Sequence, residues 1–379
     1  MPLVPSDVSP ALREARYSDA SPIAALLQRN GIAEASARDD DWSLLWRENP
    51  VVRDQPSVPI GWVIDDNGRI IGYLGNVPLY YHYQGRRLTA AAARGLAVDE
   101  AYRSCSMKLV AAFFSQKSVD LLLNTTANAA AGAVFQLCKA KKVHQPGADV
   151  ALFWILDPRA VAQSVLRKRG HGDQVSRIAG PLFGLGLAIE GRWRRRGPPP
   201  RGRGIEVTVS APGDLDAAFD DWWQRALHER PDCLLADRSR SAMRWHFSRG
   251  GVAVREAKVV CAFRAGVMVG HAVITREDAI EIGLRRTRIV DLLAEQDDAA
   301  VLNTLLHAAT DHARISGSDV LELIGFPAVI RARMTAGNPH SRPFPAWPYW
   351  YRAFAPGLQS ELASEGAWYA SSYDGDASV

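Results

Sequence analysis

Apolar positions along this chain fall into short runs separated by turn chemistry, and the first long stretch reads as strand, helix and then a meander of strands. Residues 12–16 form a short strand, followed by a helix with Ser21 as N-cap, Pro22 at the first helical position, a 3.6-type apolar pattern and Gly31 as stop. Residues 60–65 and 70–83 are strand-like runs joined by Asp66-Asn67-Gly68-Arg69, a hairpin signal because Asn and Gly tolerate the positive φ of a tight turn. A second turn at Gln84-Gly85 leads into residues 87–98. Residues 106–118 predict a helix with Leu109, Val110, Phe113 and Phe114 inward. The fully apolar residues 119–123 read as a buried parallel strand, and residues 127–141 as an alanine-rich helix.

The pattern repeats. Gly68-Arg69-Ile70-Ile71-Gly72-Tyr73 is echoed 198 residues later by Gly266-Val267-Met268-Val269-Gly270-His271, and Val98-Asp99 is echoed by Val290-Asp291 at an offset of 192. A helix over residues 298–316, stopped by Gly317, and a strand over residues 319–324 complete a second copy. Between the copies lie a strand and helix over residues 150–170, an apolar run at residues 178–189, and a Pro, Gly and Arg-rich stretch from Arg194 to Gly204 that reads as a stiff basic linker. The apolar run is too short to span a bilayer. A helix packed on the body is the favoured reading over membrane contact through residues 179–196.

Composition narrows the class. With 379 residues, 47% hydrophobic and 23% charged, the chain is globular and large enough for two domains. A net charge of +4, concentrated partly between Arg192 and Arg203, suits an anionic ligand and does not argue for nucleic acid. Cys105, Cys138, Cys233 and Cys261 show no metal-site spacing and fit a reduced, intracellular state, so no metal is expected. The first residues read as a disordered lead rather than a signal peptide, which points to a cytoplasmic protein, with a membrane-peripheral location as the variant that residues 179–196 would bring.

After the third strand of the meander comes Leu96-Ala97-Val98-Asp99-Glu100-Ala101-Tyr102-Arg103-Ser104-Cys105-Ser106-Met107-Lys108-Leu109, a strand feeding a helix start, where unpaired backbone N–H groups make an anion site. The spacing after Arg103 resembles the acyl-CoA pyrophosphate loop of the Gcn5-related N-acetyltransferase (GNAT) family, with Ser106 and Lys108 in place of the loop's glycines and Glu100 in place of a common proline. The order of elements over residues 12–154 is similar to that family's fold. The resemblance implies an α/β (α+β) protein with two GNAT-like domains, each a mixed, mostly antiparallel sheet flanked by helices. Residues 1–11 are then a lead, 12–156 the CoA-binding domain, 157–204 a helical connector and basic linker, and 205–379 a second domain that shapes the substrate site. That second copy continues after Asp291 into an acidic loop that would repel a pyrophosphate.

What the resemblance implies for the site is specific. Leu96, Ala97 and Val98 would offer main-chain groups to the pantetheine and acyl carbonyl, while Arg103, Ser104, Cys105, Ser106, Met107 and Lys108 would receive the pyrophosphate. Asn128, Ala131 and Phe135 occupy the places of a later family motif, Phe135 standing where many members carry a Tyr that protonates the departing thiolate. Candidate bases are Glu100, Tyr81 and Asp291, with Asp99, Tyr80, His82 and Tyr83 nearby. The expected activity is direct acyl transfer from acetyl-CoA or another acyl-CoA to an amine-bearing small molecule or amino sugar. The alternatives are an aminoacyl transferase resembling the FemAB group, drawing on aminoacyl-tRNA, and a non-catalytic GNAT-like binding or membrane-peripheral protein.

Overall fold

The structure is a computed structural model that describes residues 10–32, 42–247, 256–345 and 348–375. Residues 1–9 of the expected lead lie outside the described residues.

Two mixed sheets carry the core. The first is ordered β1 (Ala11–Glu14), β2 (Gly61–Asp66), β3 (Arg69–Tyr83), β4 (Arg86–Val98), β5 (Leu121–Asn124), β15 (Trp350–Ala353) and β6 (Lys141–Lys142), with β9 (Leu235–Ala236) added on β3. The second is ordered β14 (His340–Pro343), β7 (Val150–Ile155), β13 (Val320–Leu323), β12 (Arg286–Ala294), β11 (Val267–Arg276), β10 (Ala257–Arg264) and β8 (Ile205–Ser210). The hairpins form where expected: Asn67 and Gly68 take φ of 52° and 87°, Gln84 and Gly85 take 49° and 71°. The apolar strand β5 pairs parallel to β4, as its lack of a polar face requires.

The two sheets repeat each other. Gly72 pairs with Val98 in the first and Gly270 with Ala294 in the second, so the meander strands correspond. The expected match of Val98 to Val290 needs correction: β12 runs four residues further, to Ala294, which puts Asp291 inside the strand and not at its end. The first helix also begins earlier than expected, at Ala20 after Asp19, so Ser21 lies within it.

The copies exchange a strand. β7 leaves the first half to pair antiparallel with β13, and β15 returns from the C-terminal region to pair antiparallel with β5. Sheet membership therefore does not follow a division at residues 156 and 205. One continuous apolar cluster spans both sheets, from Ile23 and Leu26 through Tyr81 and Trp222 to Leu305 and Tyr351.

Candidate active site

β4 and β5 run side by side for only three pairs, Ala90 with Leu121 through Ala92 with Leu123. Beyond them β4 continues to Val98, held by β3 on one edge and by no strand on the other among the described residues. Its free edge exposes backbone N–H and C=O groups that need partners. A bulge shapes this edge: Gly95 and Leu96 fall between the Arg94–Gly75 and Ala97–Tyr73 pairs, with Gly95 at φ 67°. The bulge turns Leu96 outward, leaving it 40% exposed beside the groove.

The following segment coils more tightly than an open anion loop. Glu100–Cys105 is a 3₁₀ turn running into the helix Ser106–Ser115, and the Ser106 backbone N–H donates to the Arg103 carbonyl. The Ser106 hydroxyl also donates to that carbonyl, at 2.8 Å. Arg103, Ser104, Met107 and Lys108 are exposed, Cys105 and Ser106 half-exposed. Two exposed cationic side chains, Arg103 beside Glu100 at 3.7 Å and Lys108, rather than a ring of open N–H groups, are what this turn offers an anion.

The equivalent opening in the second sheet is filled. β12 pairs with β13 only from Arg286 to Ile289, but the C-terminal segment occupies the space beyond: the Tyr369 hydroxyl donates to the Leu292 carbonyl and the Ser371 hydroxyl to Asp291 at 3.3 Å. At its end Asp298 caps the helix Ala299–Ile315, accepting from the Ala300 and Val301 N–H groups, so the helix's donors are already used by a carboxylate.

On the other side of β3 lies a small cavity between the two halves. Pro78, Leu79 and Tyr80 of β3 form one wall, and Asp237, Trp245, His246, Tyr373 and Gly375 much of the other. Pro78 pairs with Ala91, so the cavity lies one strand over from the place where β4 and β5 part, roughly 10 Å away at ordinary strand spacing. The C-terminal segment bridges the two places. Gly375 sits so close to Thr125, just past the end of β5, that a Cβ there would overlap its side chain, and the Gly375 N–H donates to the Tyr81 hydroxyl at 3.2 Å.

No protein-family model and no curated protein sequence matches the chain. Solved structures do resemble it. A conserved protein of unknown function from Enterococcus faecalis V583, described as a probable N-acyltransferase, superposes with a TM-score of 0.58 at 11% identity, covering 91% of this chain and 72% of that one. A GCN5-related N-acetyltransferase from Anabaena variabilis gives 0.57 at 10%, covering 90% and 72%. A tandem GNAT protein from the clavulanic acid biosynthesis pathway gives 0.51 at 15%, covering 92% of this chain and 99% of that one. This is the tandem GNAT fold.

Within the GNAT fold the three expected bases separate. Glu100 is on the exposed turn, 3.7 Å from Arg103. Asp291 is fully buried, bound in two hydrogen bonds by Arg238 at 2.8 and 2.9 Å and by the His271 ring at 3.0 Å. Burial alone would raise its carboxyl, but Arg238 and His271 outweigh burial and hold it well below the usual carboxylate range. A carboxylate so held is a poor proton acceptor, which corrects the expectation for Asp291. Tyr81 is buried and its hydroxyl donates to Asp374 at 3.3 Å; burial, then the neighbouring Asp374, push it well above the ordinary phenol value. A phenol so held keeps its proton at neutral pH. Asp99 accepts from Arg29 at 2.7 and 2.9 Å and from Arg69 at 3.2 Å, which lowers its carboxyl and removes it as well.

The residues at the places of the later GNAT motif cap and pack a helix. Asn128 caps the helix Ala129–Leu137, accepting from the Ala131 N–H at 2.9 Å. Phe135 is buried against Phe113 and Phe114, with ring centroids 6.0 and 5.0 Å away. Among the described residues no group of three or more His, Cys, Asp or Glu is placed to hold a metal ion.

The residue that sequence reasoning missed is Asp374. It is buried, accepts from Tyr81 and from the Ser371 N–H at 2.7 Å, and lies between two residues that line the cavity. Burial raises its carboxyl to about 6, against the opposing pull of Arg238. The only signal in the sequence was the run Trp368-Tyr369 followed by Asp374-Gly375, which reads as a docking tail and carries no hint of its place beside Tyr81.

Proposed function

We propose that the chain is an acyl-CoA-dependent N-acyltransferase that moves an acyl group, acetyl being the simplest, from the CoA thioester to a primary amine of a small molecule or amino sugar. The observation that carries this reading is the asymmetry of the two copies: beyond Ala92 no strand among the described residues lies on the outer edge of β4, while the counterpart opening is filled by the chain's own tail. The edge at Leu96, Ala97 and Val98 suits the amides of a pantetheine arm, and one of its N–H groups would polarise the thioester carbonyl. Arg103 and Lys108 would neutralise the pyrophosphate. The cleft lined by Tyr80, Trp245 and Tyr373 would receive part of the acceptor, its rings suiting a flat or sugar-like group, with the amine reaching toward β4.

In this reading the amine nitrogen attacks the thioester carbonyl carbon directly. The N–C bond forms, the C–S bond breaks, and the amine proton passes to Asp374, whose pKa near 6 suits a base at neutral pH. The thiolate leaves with a proton from solvent, since Phe135 has no hydroxyl to give. The aminoacyl-tRNA alternative gains no support from these likenesses.

Calorimetric titration of acetyl-CoA and longer acyl-CoAs into the wild type and a Ser106→Glu variant tests the proposal. Micromolar binding to the wild type, weakened at least tenfold by the added carboxylate, is the expected result. Absence of binding to both would refute it, and undiminished binding to the variant would move the pyrophosphate away from this turn.

A further inference from the structure

The helix Asp173–Trp193 stands with its apolar face outward. Its contact face is made of Ser176, Gly180 and Gly184, all buried, spaced by four, and pressed on the helix Pro158–Lys168 so closely that a Cβ at Gly184 would lie 2.7 Å from the Arg159 Cα. The opposite face carries Val175, Ile178, Leu182, Leu185, Ile189 and Trp193 at intervals of three and four, exposed between 51% and 80%. The helix thus packs on the body, but through its small residues, and the apolar run faces away. An apolar stripe of this size in water marks a surface that is covered in use.

Charge identifies the cover. Residues 157–204 hold eleven Arg or Lys against three Asp or Glu, a net +8 in a chain whose whole formal charge is +4. Glu190, the only acid after Asp173 in that stretch, is occupied by Arg194 at 3.0 Å and Arg196 at 2.9 Å. Arg177, Arg192 and Arg195 have no ion pair among the described residues and flank or follow the stripe. A second copy laid on this face would bring the same excess of positive charge against itself. Arginines without ion pairs around an apolar stripe fit one surface chemistry, phosphate headgroups over acyl chains.

We infer that this helix docks the protein on an anionic lipid bilayer, lying in the interface with its apolar stripe in the outer acyl region and its arginines among the headgroup phosphates. No helix among the described residues is long and apolar enough to cross a membrane, so the contact is peripheral. Trp193, at the helix end, sits at the depth indoles favour. The inference is independent of acyl transfer.

Vesicle flotation with the full chain decides it, comparing phosphatidylcholine alone with phosphatidylcholine containing phosphatidylglycerol. Binding to the anionic vesicles only, weakened by salt, is expected. Leu182→Glu, at an exposed position that folding does not need, should lower the partition coefficient roughly tenfold or more, and a double Arg192→Ser, Arg195→Ser variant by a similar factor at about fivefold per charge. No flotation with either vesicle, equal flotation with both, or binding of inorganic phosphate without flotation would each overturn the inference. So would a wild-type dimer that Leu182→Glu converts to a monomer without any vesicle affinity.

Discussion

Asp374 is the residue where burial and chemistry pull in useful opposition. Its carboxyl, raised from 3.8 to about 6 chiefly by burial, keeps its proton in the folded chain over a pH range in which the unfolded chain has lost it. Folding is therefore favoured by this group below pH 3.8, and a cost of about 3 kcal/mol grows in as pH rises through 6. Asp374→Asn preserves an acceptor for Tyr81 and for the Ser371 N–H while abolishing titration. If Asp374 takes the amine proton, kcat/KM of the wild type falls on the acid side with an apparent pKa near 6. The variant should lose that limb and about 10²–10⁴ in kcat, with stability at pH 7 equal to or above wild type. Wild-type turnover with the limb intact would show that Asp374 accepts no proton.

Phe135 argues the same point from the opposite side. It packs in an apolar cluster with Trp62, Leu109, Phe113 and Phe114. Restoring the hydroxyl that the GNAT resemblance implies, by Phe135→Tyr, buries a donor among carbon atoms. The expected outcome is a loss of about 1–3 kcal/mol in urea unfolding with no gain in turnover. A faster enzyme would mean that the ring edge reaches the thiolate after all.

At the scale of elements, what could be read in advance was what neighbouring residues decide. Asn67 and Gly68 fix a hairpin locally through their positive φ, and the strand Leu121–Asn124 shows its two-sided burial in its own apolar letters. Strand partners are different, because nothing in the alternation of Val150–Ile155 distinguishes an edge in its own sheet from β13 in the other. The helix Asp173–Trp193 misleads for a clearer reason. Its apolar periodicity points a face inward by the usual rule, yet the positions that allow close helix contact are Gly180 and Gly184, on the opposite side. Asp374 was illegible as a site residue because its partner Tyr81 is 293 residues away and no local pattern records the meeting.

At the scale of the whole molecule, the exchanged strands make the two halves mutually dependent. β5 is covered on its outer edge by β15, and β13 by β7, so each sheet is completed by chain from the other half. The buried pair of Arg238 and Asp291 adds a second tie, since Arg238 lies two residues past the β9 that pairs with β3 while Asp291 lies in β12. Two independent GNAT-like units would unfold in two steps. This chain should unfold in urea in one, with tryptophan fluorescence and far-UV circular dichroism giving coincident midpoints. Ending the chain after Phe344 removes β15 and leaves the apolar edge of β5 bare, a template for aggregation. The shortened chain should therefore lose the cooperative transition as a whole, including signal from the first sheet, whose other strands all remain. A stable transition retained by the first half would show that β15 decorates that sheet and does not complete it.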